Sequence, residues 1–152
     1  MPSSLKVTLF QPDIAANLGA IMRSCACFGV DLRVVEPCGF PLTAKDLRRA
    51  AMDYGAASQL TRFANWEAYA TQSQNRTVLL TTKGAAPLQN FKFKPGDDLL
   101  FGRESAGVPD AVHAAVDNRI IIPMAAGARS LNLSNAVAVT LFEALRQMDN
   151  LP

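Results

Sequence analysis

The sequence predicts an α/β protein built on a mainly parallel sheet with helices on both faces. Short runs rich in β-branched and aromatic residues alternate with stretches whose apolar residues recur at helical spacing. This alternation is typical of parallel sheets, because the crossover connections place helices on the faces. Residues 77–82 are almost wholly apolar at their centre, as expected of a strand buried on both faces. With no repeat and no internal linker, we expect one domain spanning residues 1–152.

The first strand and the first helix have the clearest patterns. Residues 7–10 form an apolar run that ends before Pro12. Gly29 stands where glycine commonly terminates a helix. Between these points the apolar side chains recur at helical spacing, at Leu18, Ile21, Met22, Cys25 and Phe28.

The remaining elements are assigned from the same two periodicities. Thr43 is a candidate N-cap for a helix in the segment LTAKDLRRAAM. Further strands are predicted at residues 32–35, 77–82, 98–101 and 119–122, and further helices at residues 65–72, 109–116 and 133–148.

Composition excludes several classes of protein. Apolar residues make up 49% and charged residues 18% of the 152 residues, which is typical of a globular chain. No apolar run approaches the ~20 residues of a membrane span, and the N-terminal segment lacks the pattern of a secretory signal. Cys25, Cys27 and Cys38 form neither a CxxC motif nor a Cys/His cluster. We therefore expect a reduced, cytoplasmic protein without a metal site or a membrane association.

The net charge of +2 gives only a weak indication of nucleic-acid binding. Two local clusters of basic residues add to it. Lys45, Arg48 and Arg49 lie close together, and Lys92 and Lys94 flank an aromatic residue. Each cluster alone is typical of a solvated surface, and the pair leaves RNA binding open.

Glycine and polar residues follow four of the predicted strands, in the segments QPDIAANLGAIMR, TTKG, GRESAGVP and PMAAGARSLNLSNA. Ligands of open parallel sheets bind beyond the carboxyl ends of the strands. Glycine there lets a ligand approach the backbone amides closely. Each segment alone fits an ordinary tight turn, but four of them at one edge predict a ligand site.

Three common kinds of site do not fit these segments. No GxGxxG follows the first strand, and GRESAG lacks the Gly-Lys-Ser/Thr ending of a P-loop. Ser105 does not stand in the GxSxG pattern of a nucleophile elbow. The one histidine, His113, lies in a predicted short helix, where histidine is more often structural than catalytic. Serine hydrolase chemistry is therefore disfavoured.

Taken together, the segments resemble the signature motifs of the SPOUT methyltransferases, which use S-adenosyl-L-methionine. The likeness covers nearly the whole chain, including EPCGFPL, LRRAAMDY and LLTTKG. It is strongest to the small tRNA 2′-O-methyltransferases that act on the wobble cytidine or uridine. The matching residues are Asn17, Gly19 and Arg23 for the first motif, Gly102, Glu104 and Gly107 for the second, and Ser130, Leu131, Asn132 and Asn135 for the third.

The resemblance implies a fold that hydrophobic periodicity does not predict. The C-terminal part of the chain would be threaded through a loop to make a deep trefoil knot, which is rare among proteins. Backbone groups of three loops would hold S-adenosyl-L-methionine in that knot. The positions matching the cofactor site are Leu80, Gly102, Ile122, Met124, Ser130 and Leu131.

The resemblance places catalysis on Arg23, Asn17, Ser130 and Asn132. A ribose 2′-hydroxyl is a poor nucleophile, so its proton must be removed while its oxygen is held in line with the methyl group. Arg23 is either the base or the group that orients the target phosphate and polarises the hydroxyl. Both roles stay open, because arginine is almost never neutral in a protein.

Other residues receive supporting roles from the resemblance. Glu104 and Asn135 are expected to anchor loops of the knot. As a separate hypothesis, Arg48 and Arg49 could contact phosphates of the tRNA anticodon stem-loop. The alternative interpretation of residues 132–135 is that they cap the last helix, and Ser134 could serve only in this way.

Family members work as homodimers in which the first-motif arginine reaches the cofactor site of the partner. The apolar stripe at Leu141, Leu145 and Met148 could supply part of that interface or pack in the core. Phe142 stands where close relatives often carry Tyr, so one hydroxyl that could touch RNA or the interface is absent.

Two alternative functions remain open from the sequence. The first is 2′-O-methylation at another RNA site, which the absence of an added RNA-binding domain disfavours. The second is a non-catalytic knotted module that binds RNA or a nucleotide. The presence of Arg23, Ser130 and Asn132 argues against this second alternative.

Overall fold

The computed structural model describes residues 4–46, 49, 53, 60–84 and 86–152. Helices in these ranges are α1 (Ala15–Phe28), α2 (Trp66–Gln72), α3 (Asp110–Ala115) and α4 (Leu133–Gln147), with a 3₁₀ turn at Leu88–Asn90. The strands are β1 (Lys6–Phe10), β2 (Asp31–Val35), β3 (Leu60–Phe63), β4 (Thr77–Leu80), β5 (Ala86–Pro87), β6 (Asp98–Phe101) and β7 (Asn118–Ile121).

The strands form one sheet in the order β3-β2-β1-β6-β4-β7-β5. Every pair of neighbouring strands is parallel. The central strands are buried along their length, and all four residues of β6 are inaccessible to solvent. The prediction of a mainly parallel sheet is therefore confirmed.

Helices cover both faces of the sheet, also as predicted. Side chains alternate between the faces along each strand, and two hydrophobic clusters result. Val7 and Leu9 of β1 belong to the cluster that includes residues of α1 and α4. Phe10 of the same strand belongs to the other cluster, with Tyr69 of α2 and Val112 of α3. A parallel sheet requires this double cover, because its strands are apolar on both faces.

Local signals placed most of the elements correctly. Gly29 ends α1 with a left-handed φ of 68°, as predicted for that glycine. The Thr43 hydroxyl accepts a hydrogen bond from the Asp46 amide at 3.1 Å, and residues 44–46 are helical, so the predicted N-cap is confirmed. Strand boundaries were less accurate, since β4 ends at Leu80 rather than at residue 82.

Two strands, β3 and β5, were not predicted from the sequence. β3 forms an edge of the sheet, and its residues Thr61 and Arg62 are exposed, so it lacks the apolar pattern of the central strands. β5 is only two residues long and includes Pro87 at the other edge. Proline has no amide hydrogen for a ladder bond, so it is tolerated at edges but gives no strand signal.

A buried polar cluster lies on the sheet face that α2 covers. The carboxylate of Asp98 is fully buried and accepts hydrogen bonds from Arg33, from the Tyr69 hydroxyl and from the Thr8 hydroxyl, the last at 2.7 Å. The Arg33 guanidinium also lies 5.5 Å from the centre of the Tyr69 ring. Burial raises the pKa of Tyr69, and the neighbouring Asp98 charge raises it further. The cluster ties β1, β2, β6 and α2 together, because a buried carboxylate requires these donors.

The apolar stripe of α4 packs inside the protein. Leu141 and Leu145 are fully buried in the core shared with α1, so core packing is the correct one of the two readings of this stripe. The exposed apolar side chains of α4 are instead Val139 and Phe142. No helix among the described residues is long and apolar enough to cross a membrane.

Candidate active site

A cavity of about 530 Å³ opens at the carboxyl edge of the sheet. The segments that follow β4, β6 and β7 form its walls, and the start of α1 closes one side. Its lining combines apolar side chains with amide, hydroxyl and charged groups. The lining residues that matter below are Asn17, Leu80, Gly102, Arg103, Glu104, Ser105, Ile122, Met124, Arg129, Ser130, Leu131 and Asn132.

The loop after β6 is closed on itself by its backbone. The amide of Arg103 donates to the carbonyl of Gly107 at 3.0 Å, and the amide of Gly107 donates back at 2.9 Å. A Cβ atom on Gly102 would lie 2.6 Å from the backbone carbon of Gly107, so only glycine fits there. Gly107 has a φ of 61°, a conformation that glycine adopts without strain. Both glycines of the second motif are therefore required by this tight loop.

The segment after β7 turns back toward the cavity before α4 begins. Gly127 has a φ of 87°, and the amide of Ala128 donates to the carbonyl of Ala125 at 3.1 Å. This turn brings Ser130 and Leu131 to the cavity wall.

Asn132, rather than Ser134, is the N-cap of α4. Its side-chain oxygen accepts a hydrogen bond from the amide of Ser134 at 2.9 Å. Capping by one of residues 132–135 was the alternative interpretation of this turn, and it is confirmed for Asn132, whereas the assignment of the cap to Ser134 was wrong. The Ser134 hydroxyl instead donates to the same Asn132 oxygen.

Amide side chains link the three strand-end loops in one chain of hydrogen bonds. The Nδ2 of Asn132 donates to the Oδ1 of Asn17 at 3.1 Å. The Nδ2 of Asn17 donates in turn to Glu104 at 3.4 Å. Asn17 is almost completely buried, at 8% exposure, so its amide group needs both partners. The chain fixes the relative positions of the first, second and third motifs at the cavity.

Asp13 extends this chain at the end of β1. Its amide donates to the second carboxylate oxygen of Glu104 at 2.9 Å, and its carboxylate accepts a hydrogen bond from the Ser105 hydroxyl. Burial raises the pKa of Glu104, and the Asp13 carboxyl raises it further. The hydrogen bonds from Glu104 and Ser105 lower the pKa of Asp13. The pKa values of these two neighbouring carboxyl groups are therefore shifted in opposite directions, and Asp13 is the more acidic of the two.

The structure brings nine of the predicted site residues together at the cavity: Asn17, Leu80, Gly102, Glu104, Ile122, Met124, Ser130, Leu131 and Asn132. Arg23 lies on the exposed side of α1 and does not line the cavity of its own chain. Asn135 is exposed in the first turn of α4, and Arg49 is an exposed helical residue. Arg48 lies outside the described residues.

Among the residues at or beside the cavity that were not predicted are Asp13, Arg103, Ser105 and Arg129. These four stand in post-strand segments that the sequence had marked as ligand loops. The hydrogen bond between Ser105 and Asp13 joins residues that are 92 positions apart in the chain. The only available signal was their position beside the motif residues.

The described part of the chain contains no group of three His, Cys, Asp or Glu side chains that could hold a metal ion. The site is defined instead by apolar walls, glycine loops and amide side chains at the carboxyl edge of a parallel sheet. That combination is typical of α/β proteins that bind a nucleotide-like ligand at the strand ends.

Comparison with known proteins specifies the family. The model of the SpoU rRNA Methylase family matches residues 4–142, and the chain belongs to this family. The resemblance found in the motifs is thereby confirmed.

Close relatives match along nearly their entire length. A tRNA (cytidine(34)-2′-O)-methyltransferase of Beijerinckia indica subsp. indica is 48% identical over 93% of this chain and 91% of its own. The protein of the same name from Escherichia coli strain K12 is 40% identical over 95% of this chain and 94% of its own.

Solved structures agree with this assignment. A structure that gives insights into the 2-OH methylation of C/U34 on tRNA superposes with a TM-score of 0.87 and 37% identity, over 95% of this chain and 96% of the other. The SpoU methyltransferase AviRb from Streptomyces viridochromogenes, in complex with the cofactor AdoMet, has a TM-score of 0.79 and 26% identity. That match covers 98% of this chain and 62% of AviRb.

Proposed function

We propose that this protein transfers a methyl group from S-adenosyl-L-methionine to the 2′-hydroxyl of the wobble cytidine or uridine of tRNA. The hydrogen-bond chain from Glu104 through Asn17 to Asn132 carries the proposal, because it assembles all three motifs around one cavity. The names of the full-length relatives support tRNA position 34 as the target. We also propose that the enzyme acts in the cytoplasm, because its proposed substrate is tRNA.

The cavity fits the proposed cofactor in chemistry and in size. Leu80, Ile122 and Leu131 provide apolar surface for an adenine ring, and the tight glycine turn at Gly102 exposes backbone groups to a ligand. A volume of about 530 Å³ lies within the range of small-molecule sites. With the positions of Met124 and Ser130 included, all six predicted cofactor residues line this one space.

When bound, S-adenosyl-L-methionine supplies an activated methyl group on a sulfonium centre. The residues of this chain then have two tasks, to hold the ribose oxygen in line and to weaken its bond to hydrogen. Ser130, Asn17 and Asn132 line the cavity and would position the reacting groups. Glu104 would anchor the second-motif loop through its bonds to Asn17 and Asp13. Asn135, exposed at the start of α4, keeps its proposed loop-anchoring role.

Arg23 is proposed to act in the cavity of a partner subunit of a homodimer. Its side chain is exposed and lies outside the cavity of its own chain, and no carboxylate among the described residues pairs with it. Val139 and Phe142 of α4 are exposed apolar residues, at 44% and 49%, that would be covered in such a dimer. Arg23 would orient the target phosphate or polarise the ribose hydroxyl there.

The sheet order supports the proposed trefoil knot. β7 lies between β4 and β5, so the connection from β4 to β5 has to cross the end of β7. A Cβ atom on Gly84 would lie 2.5 Å from the backbone of Ile120, so this crossing is a close one. The chain leaving β7 then has to pass that connection to reach α4, which packs against α1 on the first hydrophobic cluster.

Arg48 and Arg49 are proposed to bind phosphates of the anticodon stem. Arg49 is exposed and therefore available for such a contact. Replacing both arginines with alanine should weaken tRNA binding and reduce its dependence on salt. Unchanged binding of tRNA by the double variant would refute this role.

The proposed function is tested by supplying labelled S-adenosyl-L-methionine and tRNA that lacks wobble 2′-O-methylation, then mapping the labelled nucleotide. We expect label on the ribose of nucleotide 34 with the natural chain and none with Arg23→Ala. The matched control is Arg146→Ala, which removes a guanidinium already paired with Glu143 on α4. Label at another nucleotide would indicate a different RNA site, and cofactor binding without transfer to RNA would indicate the non-catalytic alternative.

A further inference from the structure

The arginines of the described chain differ in whether a carboxylate neutralises them. Ion pairs occupy the guanidinium groups of Arg33, Arg62, Arg76 and Arg146. Arg103 and Arg129 have no carboxylate partner within the described residues, and both line the cavity. Unpaired cations are ordinary on an open surface, but two of them at the wall of one cavity indicate an anionic ligand.

Arg103 is held in place by two contacts that leave its charge uncompensated. Its Nε donates to the carbonyl of Gly107 at 2.9 Å, and its guanidinium carbon lies 5.5 Å from the centre of the Phe10 ring. Neither contact uses the two terminal nitrogens of the guanidinium. A fixed guanidinium loses little further conformational freedom on binding a ligand, so it is prepared to bind an anion with two hydrogen bonds.

Arg129 faces the same cavity from a different loop. It precedes Ser130 in the segment after β7, whereas Arg103 follows β6. β4 lies between those two strands in the sheet. Arg103 and Arg129 therefore line the cavity on two loops that lie on either side of the loop that follows β4, and an extended anionic chain could contact both.

We propose that Arg103 and Arg129 bind the RNA phosphates that flank the target ribose, an inference that rests on the proposed function. In RNA, the carbon bearing the 2′-hydroxyl is bonded to the carbon bearing the 3′-phosphate. A ribose that presents its 2′-hydroxyl to this cavity necessarily brings that phosphate with it. A phosphodiester carries one full negative charge, which guanidinium groups recognise by paired hydrogen bonds.

The alternative anion is the carboxylate of the cofactor. In S-adenosyl-L-methionine this carboxylate stands beside an ammonium group, and the sulfonium adds a further positive charge. Two additional guanidinium groups would repel such a cation overall, whereas they attract a polyanion. The net charge of the two ligands therefore favours RNA over the cofactor.

The test measures RNA and cofactor affinity separately. A labelled anticodon stem-loop with an unmodified wobble ribose is titrated with the natural chain, Arg103→Gln, Arg129→Gln and Arg146→Gln, at several salt concentrations. Glutamine at position 103 keeps a side-chain donor for the Gly107 carbonyl while removing the charge. Binding of S-adenosylhomocysteine to each variant is measured by calorimetry, and thermal unfolding confirms that each variant is folded.

We expect Arg103→Gln and Arg129→Gln each to weaken RNA binding by about 3- to 10-fold, and to reduce the salt slope by ~0.7 per lost phosphate contact, as for single strands. Affinity for S-adenosylhomocysteine should stay within about twofold of the natural chain, and Arg146→Gln should change neither affinity.

RNA affinity equal to that of Arg146→Gln would overturn the inference while leaving the proposed function intact. Loss of cofactor affinity alone would assign the arginines to the cofactor. Failure of the natural chain to bind the stem-loop would refute the proposed function itself.

A variant that unfolds would be replaced by lysine at the same position, which keeps the charge but not the paired hydrogen bonds. Lysine should then keep the salt slope of the natural chain while leaving RNA affinity below that of the natural chain. A lysine variant whose salt slope is reduced by ~0.7 would contradict a phosphate contact.

Discussion

The side-chain amide of Asn132 donates a hydrogen bond to the side-chain oxygen of Asn17, at 3.1 Å, across 115 positions of the chain. Asn132 begins α4 and Asn17 lies in the first turn of α1. The same Asn132 side chain accepts the amide of Ser134 as the N-cap of α4. One residue therefore both starts the last helix and fixes the first motif against the third. This double use explains the surplus of polar side chains in the turn before α4.

Asn132→Asp separates these two uses. Aspartate is as good an N-cap as asparagine and interacts favourably with the helix dipole, so the cap is kept and the free energy of unfolding should fall only by the contribution of the bond to Asn17, about 1 kcal/mol. The carboxylate cannot donate to the Asn17 oxygen, so methyl transfer should fall by about tenfold, as for the loss of a part-buried hydrogen bond at a site. Urea unfolding and single-turnover transfer on the same preparation measure the two effects.

Asn132→Ala provides the comparison, because it removes both the cap and the bond to Asn17. It should lose activity in the same way, and its free energy of unfolding should be about 1 kcal/mol lower than that of Asn132→Asp, because the cap is lost as well. Full activity in Asn132→Asp would mean that the bond to Asn17 has no part in the reaction.

The raised pKa of Glu104 predicts an acid limb in the pH profile of methyl transfer, which means that the rate falls as Glu104 becomes protonated. The ionised carboxylate accepts from both the Asp13 amide and the Asn17 side chain, whereas a protonated carboxyl can satisfy both donors less well. Burial, then the Asp13 carboxyl, raises the pKa of Glu104, so activity should fall with decreasing pH before the ordinary glutamate range is reached. The free energy of unfolding should change with pH in the opposite direction to activity. Because the pKa of Glu104 is raised in the folded state, its contribution to stability decreases as the pH rises through that window.

Two variants test this assignment through the pH profile of kcat/KM. Burial is the main cause of the raised pKa of Glu104, and Asp13→Asn removes the second, the side-chain hydrogen bond with the Asp13 carboxyl, so the acid limb should move to lower pH. Glu104→Gln has no carboxyl to protonate, so the limb should disappear and a lower, flat rate should remain. A limb that persists unchanged in Glu104→Gln would belong to another group.

Sequence patterns predicted secondary structure most accurately where the local preferences of the residues determine the helix or strand. The central strands, the α1 periodicity and the Gly29 terminus follow from local preferences, and they were predicted correctly. β3 and β5 were missed because edge strands are stabilised by a neighbour rather than by their own apolar pattern.

The site residues likewise fall into those that the sequence predicted and those that depend on contacts between distant segments. Motif residues such as Asn17, Gly102 and Ser130 were located by resemblance, and the structure places all three at the cavity. Asp13 was not found because its partner, the Ser105 hydroxyl, is 92 positions away. Contacts between distant loops leave no periodicity in the sequence, so they emerge only once the sheet brings the strand ends together.

Removing the buried carboxylate of Asp98, to which no catalytic role is assigned, should lower the free energy of unfolding substantially. Asp98→Ala would leave the Arg33 guanidinium, whose side chain is 11% exposed, without its carboxylate. Removing one partner of a buried pair costs about 3–5 kcal/mol, so urea unfolding should show a loss of that order. Glu143→Ala breaks the exposed pair with Arg146 and serves as the control, with little expected change. Equal effects of the two substitutions would show that burial adds nothing to the Asp98 cluster.

Subunit mixing tests whether Arg23 acts across a dimer. Arg23→Ala retains a complete cavity, whereas Asn132→Asp retains Arg23 but has a defective cavity. If Arg23 serves the partner, a mixed dimer has one complete site, made of the cavity of the first variant and the arginine of the second. Random exchange of equal amounts should then restore about a quarter of the natural activity, since half of the dimers are mixed and each has one of two sites.

If Arg23 served its own cavity, every site in the mixture would lack either the arginine or the amide, and activity would stay at the level of the separate variants. Exchange is driven by brief exposure to a low concentration of urea, and subunits of different tag mass report its extent by native mass spectrometry. The control mixes two double variants, Arg23→Ala/Phe142→Asp and Asn132→Asp/Phe142→Asp, because a charge at that exposed apolar position of α4 should prevent pairing. Recovery in the first mixture and none in the control would locate Arg23 in the partner's cavity and α4 in the interface that brings it there.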